Sequence, residues 1–596
     1  MTLASAASGQ LLYAKTVAAR GGPAPAGVAN VNFQNFYEAV LSRTGVVFNR
    51  IDLSGTGTSG TTNLGIYSGT GPFDLVQVGR EGSTAAGIGA GVNYSTFGQM
   101  GINGSGTVSF VSTIIGAGVT AANNQGVWAG PPGAPALVAL KGQAAPDTGG
   151  ALFNGFSGLA LNGSGEVAFQ SSLTGLGVPT SADTGLWANT GGTMTLIARE
   201  GSQAPGMPAG ANFTNWNDAT SGATSLILSD TGAVLFYGTT TGGGVVAGTN
   251  DTAIWTGTPG NLAIVIRDGA PAPAGFPNAA TVSAINSSGD LSAAGHVAYD
   301  VTVTGGGVTA ANNRAIMAGL PASVAMVVRN GTAAPNAPAG ANFSAFTTAG
   351  NKLQINSSGA VLFQATLSGG GVVAANNVGL YTNHGGTMRE VHRKGTSPAV
   401  LPAGVNITTF DAFAFNSAGQ VAFTATLTGT GVVAANNNAL FFWDPVLGLR
   451  LVAREGDPIH IGGGATATVS ASGLLDSSAT TPSFIGNATG NGLASSLSDN
   501  GALLFTVITT DGSMRLLLTL PGVTYCSRAD VASLGGAPQP DGLLTADDVI
   551  LFLSSFFAGN VAIGDIAGLG GSSSPDGQLT ADDVVVFLAS FFAGCV

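Results

Sequence analysis

Apolar positions in this chain come in short runs with period-two alternation, separated by Gly, Pro, Asn and Asp. Val167-Ala168-Phe169, with turn residues on both sides, is representative and reads as a β-strand. One phrase recurs: an apolar residue, Asn or Ser, two small residues, Gly, and then an apolar run ending on an aromatic. Its copies end at Phe48, Phe110, Phe169, Phe236, Tyr299, Phe363, Phe423 and Phe505. Three further phrases travel with it. Upstream lies Asn-aromatic-x-x-aromatic, as in Asn93–Phe97, Asn212–Trp216 and Asn342–Phe346. Downstream come an apolar-aromatic pair (Val127-Trp128, Leu186-Trp187, Ile254-Trp255, Leu380-Tyr381) and apolar-x-basic-x-Gly (Val78–Gly82, Ile197–Gly201, Val327–Gly331, Val452–Gly456). Four short antiparallel strands in each repeat of roughly 60 residues predict β-propeller blades.

Ring closure gives an independent argument. The last repeat has a third run, Met514–Leu520, but no fourth, whereas the chain begins with an orphan fourth run, Leu11–Arg20. Moving that strand to the last blade completes an all-β, eight-bladed propeller over 11–520 that leaves few free sheet edges. An open row of small β-sandwiches would explain neither the missing strand nor the spare one. Residues 1–10 are expected to be a disordered start, and 521–529 a linker to a second domain over 530–596.

Composition narrows the function. Glycine accounts for 94 of 596 residues and charged residues for 8%, against about 7% and about 25% in ordinary soluble proteins. A net charge of −12 with 18 basic residues leaves no basic stripe for a phosphate backbone, so no nucleic-acid partner is expected. No apolar run is long enough for a transmembrane helix. Met1–Gly9 lacks the basic and apolar regions of a signal peptide.

Within the repeats, Asn-x-x-Gly reads as a turn and the aromatic as a plug between neighbouring blades. The recurring Arg80, Arg199, Arg267, Arg329 and Arg454 read as blade-edge contacts, and Glu81, Glu200 and Glu455, at one repeat position, as structural. A second loop, G-x-G-V-x-A-A-N-N, ends in the pairs Asn123-Asn124, Asn312-Asn313, Asn376-Asn377 and Asn436-Asn437. Such amides can bind sugar hydroxyls, or they can close the loop on its own backbone. No H-E-x-x-H or G-x-S-x-G motif is present. The repeats resemble the tandem-repeat NxxGxxAF proteins, on Asn103/Gly106/Phe110, Asn162/Gly165/Phe169, Asn356/Gly359/Phe363 and Asn416/Gly419/Phe423, with Ser42, Ser229, Ser292 and Ser498 departing at the Asn position. That resemblance implies a surface or secreted protein and brings no catalytic residues.

The C-terminal segment is a duplication. Asp530 through Pro540-Asp541-Gly542-Leu543-Leu544-Thr545-Ala546-Asp547-Asp548 recurs as Asp565 through Pro575-Asp576-Gly577-Gln578-Leu579-Thr580-Ala581-Asp582-Asp583. Each half resembles the second part of an EF-hand loop. Asp541 and Asp576 match position five, Leu543 and Gln578 the carbonyl ligand, and Asp548 and Asp583 position twelve, with Thr545 and Thr580 between. Asp530 and Asp565 stand further upstream than a first ligand should. Thr545 and Thr580 are N-caps of helices whose apolar residues recur at i, i+3, i+4 and i+7. Cys526 and Cys595 bracket the duplication, so a disulfide would staple a domain short of core, and would mean an oxidising compartment. Two free thiols are the alternative. The tail over 526–596 resembles a Gly-Cys-ended dockerin, which implies Ca²⁺ and a cohesin-like or cell-surface partner.

Taken together, these readings lead to the expectation of an exported, non-enzymatic binding or display propeller with a glycan as candidate ligand, attached through a Ca²⁺-dependent helical module at the cell surface. The alternative is a polysaccharide-active enzyme with its site in the ring channel or on the loop face.

Overall fold

The computed structural model describes residues 14–25, 30–71, 74–216, 226–287, 289–348, 352–462, 465–470 and 495–519, and in the C-terminal part 528–532, 535–536, 538, 543–568, 570–571 and 577–593. Asp541, Asp576, Cys526, Cys595, the start over 1–10 and the first residues of the closing strand lie outside them.

Short alternating runs joined by tight turns can only pair with their sequence neighbours, and they do. Blade 2 is typical: Val92–Ile102, Val108–Gly116, Gln125–Gly130 and Ala136–Leu140 form one antiparallel meander. Blade 1 precedes it (Val31–Leu41 to Val76–Arg80), and blades 3 to 7 repeat the order through Gly448–Arg454. First strands of neighbouring blades touch one another, which places them nearest the axis. Blade 8 is completed from the other end of the chain. Ala14–Ala19 pairs with Met514–Thr519, which pairs with Leu504–Ile508, and single bridges at Val469–Thr509 and Leu497–Leu503 stand where its first strand belongs. The fold is thus the expected eight-bladed propeller, closed by the N-terminal strand.

The recurring aromatics form the cores between blades. In blade 2, Tyr94, Phe97, Phe110 and Trp128 are all buried, with Phe110 and Trp128 stacked at 5.7 Å and Tyr94 edge-on to Trp128 at 5.2 Å. Blades 3, 4 and 6 repeat this foursome around Phe169, Phe236 and Phe363. Each cluster draws apolar residues from two adjacent blades, so the sheets are held face to face.

The first repeat differs from the reading that ended it at Phe48. Its turn is one residue shorter from Gly45 to the aromatic. Strand register puts Asn49 opposite Tyr67, where Phe110 faces Trp128 and Phe169 faces Trp187. Phe48 packs instead on the blade 2 side.

The repeat Asn has two jobs. Asn103 Oδ1 accepts the Ser105 and Thr107 N–H groups at 3.0 Å, which fixes the turn. Gly106 then takes φ +82°, open to Gly at no cost. Asn103 Nδ2 donates across the seam to Asn162 O at 3.0 Å, Asn162 to Ser229 O at 3.0 Å, Asn356 to Asn416 O at 3.0 Å and Asn416 to Ser498 O at 2.8 Å. The Ser copies cannot reach that far, and other bonds replace the link. The Asp230 N–H donates to Ala293 O and the Asp499 N–H to Arg43 O. The Arg43 guanidinium meets Asp230 at 2.6 Å, joining blade 1 to blade 4 across this end of the ring.

In the C-terminal part, α1 (Ala546–Phe557) and α3 (Ala581–Ala593) are helical as expected, and a short α2 (Val561–Gly564), which the sequence pattern does not predict, lies between them. Thr545 caps α1 in a capping box with Asp548. Phe552 and Phe587 stack at 4.0 Å and, with Ala529 and Ile566, make a small core. Among the described residues, no helix is long and apolar enough to cross a membrane.

Candidate functional site

Equal positions in a repeat protein can be compared blade against blade, and blade 1 departs in its charges. Three residues beyond the aromatic position, the second strand carries a hydroxyl in six blades: Thr113, Ser172, Thr239, Thr302, Thr366 and Thr426. In blades 2 and 4 that hydroxyl bonds a first-strand threonine, Thr96–Thr113 at 2.6 Å and Thr214–Thr239 at 2.9 Å. Blade 1 has Asp52 there, and Arg50 two residues earlier.

Around them the first strand of blade 1 supplies Asn35, Tyr37 and Glu38. The Tyr37 hydroxyl donates to Asp52 Oδ2 at 2.6 Å, and Asn35 Nδ2 donates to the same oxygen at 3.3 Å. Arg20, just past the closing strand, donates Nε to Gln34 O at 2.9 Å and Nη2 to Asn35 Oδ1 at 3.0 Å. Arg50 donates to Phe97 O of blade 2 at 2.6 Å and lies 3.9 Å from Glu38, over the Tyr37 ring at 5.8 Å. The Glu38 and Arg50 side chains keep 31% and 26% of their exposure, so a ligand can reach both.

Burial raises the Glu38 carboxyl above the usual range, with Arg50 opposing. The hydrogen bond to Asp52, helped by burial, pushes Tyr37 up to about 12, so it remains a donor at neutral pH. A carboxyl held toward its neutral form and a second carboxyl bonded by two donors are groups that acid–base cleavage of a polar polymer can use.

A second charged cluster, in blade 5, is saturated. Buried Asp300 accepts Arg314 Nε at 3.0 Å, Thr348 Oγ1 at 2.7 Å and Asn286 Nδ2 at 3.1 Å. Its bonding capacity is used up within the protein.

The Asn-rich loops close on themselves. Asn123, Asn312, Asn376 and Asn436 each accept, on Oδ1, a backbone N–H three residues back, at 2.7–2.8 Å. The carbonyls of Asn124, Asn313, Asn377 and Asn437 extend the second strand's ladder. The repeat arginines tie these loops down, Arg329 to Asn312 O and Arg454 to Asn436 O. Glu81 and Glu455 accept the first N–H of the third strand, from Leu64 and Asn438, both at 3.1 Å.

In the C-terminal part, Asp548 Oδ1 accepts Val531 N and Ala532 N at 2.7 and 2.8 Å, and Oδ2 accepts Thr545 N at 2.8 Å. Asp583 repeats this with Ile566, Ala567 and Thr580, all at 2.8 Å. Asp565 accepts Gly577 N at 2.5 Å. Thr545 and Thr580 accept the Asp547 and Asp582 N–H groups at 3.2 Å. Asp530 is buried, and Leu543 is exposed ahead of α1 with Gln578 at the matching place ahead of α3. These acids clasp loop N–H groups to helix starts. Among the described residues there is no group of three His, Cys, Asp or Glu side chains able to hold a metal ion, and the expected ligands Asp541 and Asp576 lie outside those residues.

The fold defines a β-propeller with a partly exposed cluster of both charge signs on the first two strands of blade 1. The chain belongs to a family of unknown function (DUF7453), whose model matches residues 3–221 and 214–518. None of the curated proteins matches it. Solved structures similar to it include a puromycin hydrolase mutant complexed with PGG, at 10% identity over 68% of this chain and 52% of that one, TM-score 0.30. An oligogalacturonate lyase in complex with manganese is 12% identical over 68% and 98%, TM-score 0.30. The Pyrococcus horikoshii acylaminoacyl peptidase is 10% identical over 70% and 52%, TM-score 0.34. The chain spans about half the length of the hydrolase and the peptidase. All three are enzymes, and on that finding the expectation of a non-enzymatic chain is corrected. At these TM-scores the likeness transfers no catalytic residue and no substrate.

Proposed function

We propose that this propeller binds and acts on a polysaccharide at the blade 1 cluster, with Glu38 as proton donor, Asp52 as the carboxylate held by Tyr37 and Asn35, and Arg50 as a hydroxyl- or carboxylate-binding group. The observation that carries this reading is the set of charged side chains of both signs, partly exposed on the first two strands of blade 1, with Asp52 standing where six other blades carry a neutral hydroxyl. The low charge of the remaining ring suits a neutral or weakly charged polymer. The C-terminal helices serve attachment in this reading. Ile550, Phe557, Val585 and Phe592 are exposed at equivalent places on α1 and α3, an apolar face for a protein partner at the cell surface.

The test is calorimetry and product analysis with a panel of oligosaccharides on the full chain, alongside Glu38→Gln and Asp52→Asn. Binding by the native chain, with turnover lost in both variants and their unfolding temperatures unchanged, supports the reading. Equal turnover in native and variant proteins, or no binding across the panel, overturns it.

A further inference from the structure

Strand register gives Asn49 and Tyr67 the places held by Phe110 and Trp128 in blade 2, Phe169 and Trp187 in blade 3, and Phe236 and Trp255 in blade 4. Both replacements are smaller and more polar. Both are sealed in: Asn49 is 1% exposed and Tyr67 0%. Their neighbours on the same face, Val47, Ile51 and Leu53, belong to the apolar cluster joining blade 1 to blade 8, with Val17, Phe33, Leu504 and Leu516. Neither amide atom of Asn49, nor the Tyr67 hydroxyl, meets a hydrogen-bond partner in the protein. The corresponding tryptophans all have one: Trp128 Nε1 donates to Ala86 O at 2.8 Å, Trp187 to Pro146 O at 3.2 Å and Trp255 to Pro205 O at 2.9 Å.

A buried amide and a buried phenol left unpaired each cost about 1–3 kcal/mol. Replacing a ring by an amide also frees space, and one water needs a share of only about 30 Å³ with two to four polar partners. Asn49 offers two donor hydrogens and a carbonyl oxygen, and Tyr67 a hydroxyl. We infer that the seam between blades 8 and 1, where the ring closes, contains an internal water-binding site formed by Asn49 and Tyr67. Water there bonds the Asn49 amide and the Tyr67 hydroxyl, making this joint hydrated where blades 2, 3 and 4 pack a Phe–Trp pair.

The test is a high-resolution crystal structure of the full chain with oxygen-17 water relaxation dispersion in solution, on native protein, Asn49→Phe and Tyr67→Phe. The expected result is ordered water within hydrogen-bond distance of Asn49 and Tyr67 Oη, and a long-lived water signal that falls in Asn49→Phe. In Tyr67→Phe, which removes only a hydroxyl, the water should be retained on Asn49 with a shorter residence time. A dry seam, direct bonding of the Asn49 amide to protein, or a relaxation signal unchanged in both variants would overturn the inference.

Discussion

Asp290 offers the sharpest quantitative prediction. It lies on the inner strand of blade 5 and is 3% exposed. One carboxylate oxygen accepts the Ile355 N–H of blade 6 at 2.9 Å, the other its neighbour Leu291 N–H at 2.9 Å. The same place in blade 6 holds neutral Gln354, which donates to Phe413 O of blade 7 at 2.8 Å. Burial therefore dominates, and lifts the Asp290 carboxyl from 3.8 to about 7. A folded-state value above the unfolded one means that the folded protein holds its proton longer. The stability this contributes is complete below about pH 4 and is lost as pH rises through about 7. A displacement of about three pH units corresponds to about 4 kcal/mol across that window. Asn in place of Asp keeps the acceptor for Ile355 and removes the titration. Urea unfolding of native protein and Asp290→Asn between pH 4 and 8 isolates the effect, because every other group cancels in the difference. The native chain should lose up to about 4 kcal/mol relative to the variant as pH rises. Parallel curves would refute the argument that burial governs this carboxyl.

Other consequences follow from the same contacts. Asn416→Ala removes the bond to Ser498 O and the turn bonds to Gln420, so urea unfolding should show a loss of about 1–3 kcal/mol. Phe236→Ala opens a cavity beneath Trp255, and should cost about 3–5 kcal/mol in the same assay. Burial and Asp183 raise Glu200 to about 7, so its contribution to stability is also lost between about pH 4.5 and 7. Asp183→Asn, which installs the amide that other blades carry there, should flatten that part of the profile.

The architecture was legible because a propeller repeats its errors and its rules alike. Met514–Leu520 without a successor and Leu11–Arg20 without a predecessor were enough to close the ring, since unpaired strand edges are costly. The aromatics were visible as plugs because each recurs with its partner. What escaped was the blade that breaks register. Matching aromatic to aromatic placed Phe48 at the plug, whereas the one-residue deletion after Gly45 moved Asn49 there. The blade 1 cluster was missed for a related reason. Asn35, Tyr37, Glu38, Arg50 and Asp52 form no motif, and they meet only because two strands pair. The available signal was comparison by distance from the turn glycine, which sets Asp52 against six hydroxyls. The paired amides drew attention as a motif but serve mostly as loop closures. In the C-terminal part, the capping of α1 by Thr545 was readable from local sequence, whereas the clasp of Asp548 on Val531 and Ala532 joins segments that sequence alone leaves apart.

The central claim is that blade 1 carries the working site. The most direct measurement is a crystal structure of the Glu38→Gln full chain soaked with an oligosaccharide selected by calorimetry. The account predicts sugar density against Arg50, Tyr37 and Asp52, in the seam between blades 1 and 2. Sugar density on the Asn-rich loops, with the blade 1 cluster empty, would contradict it.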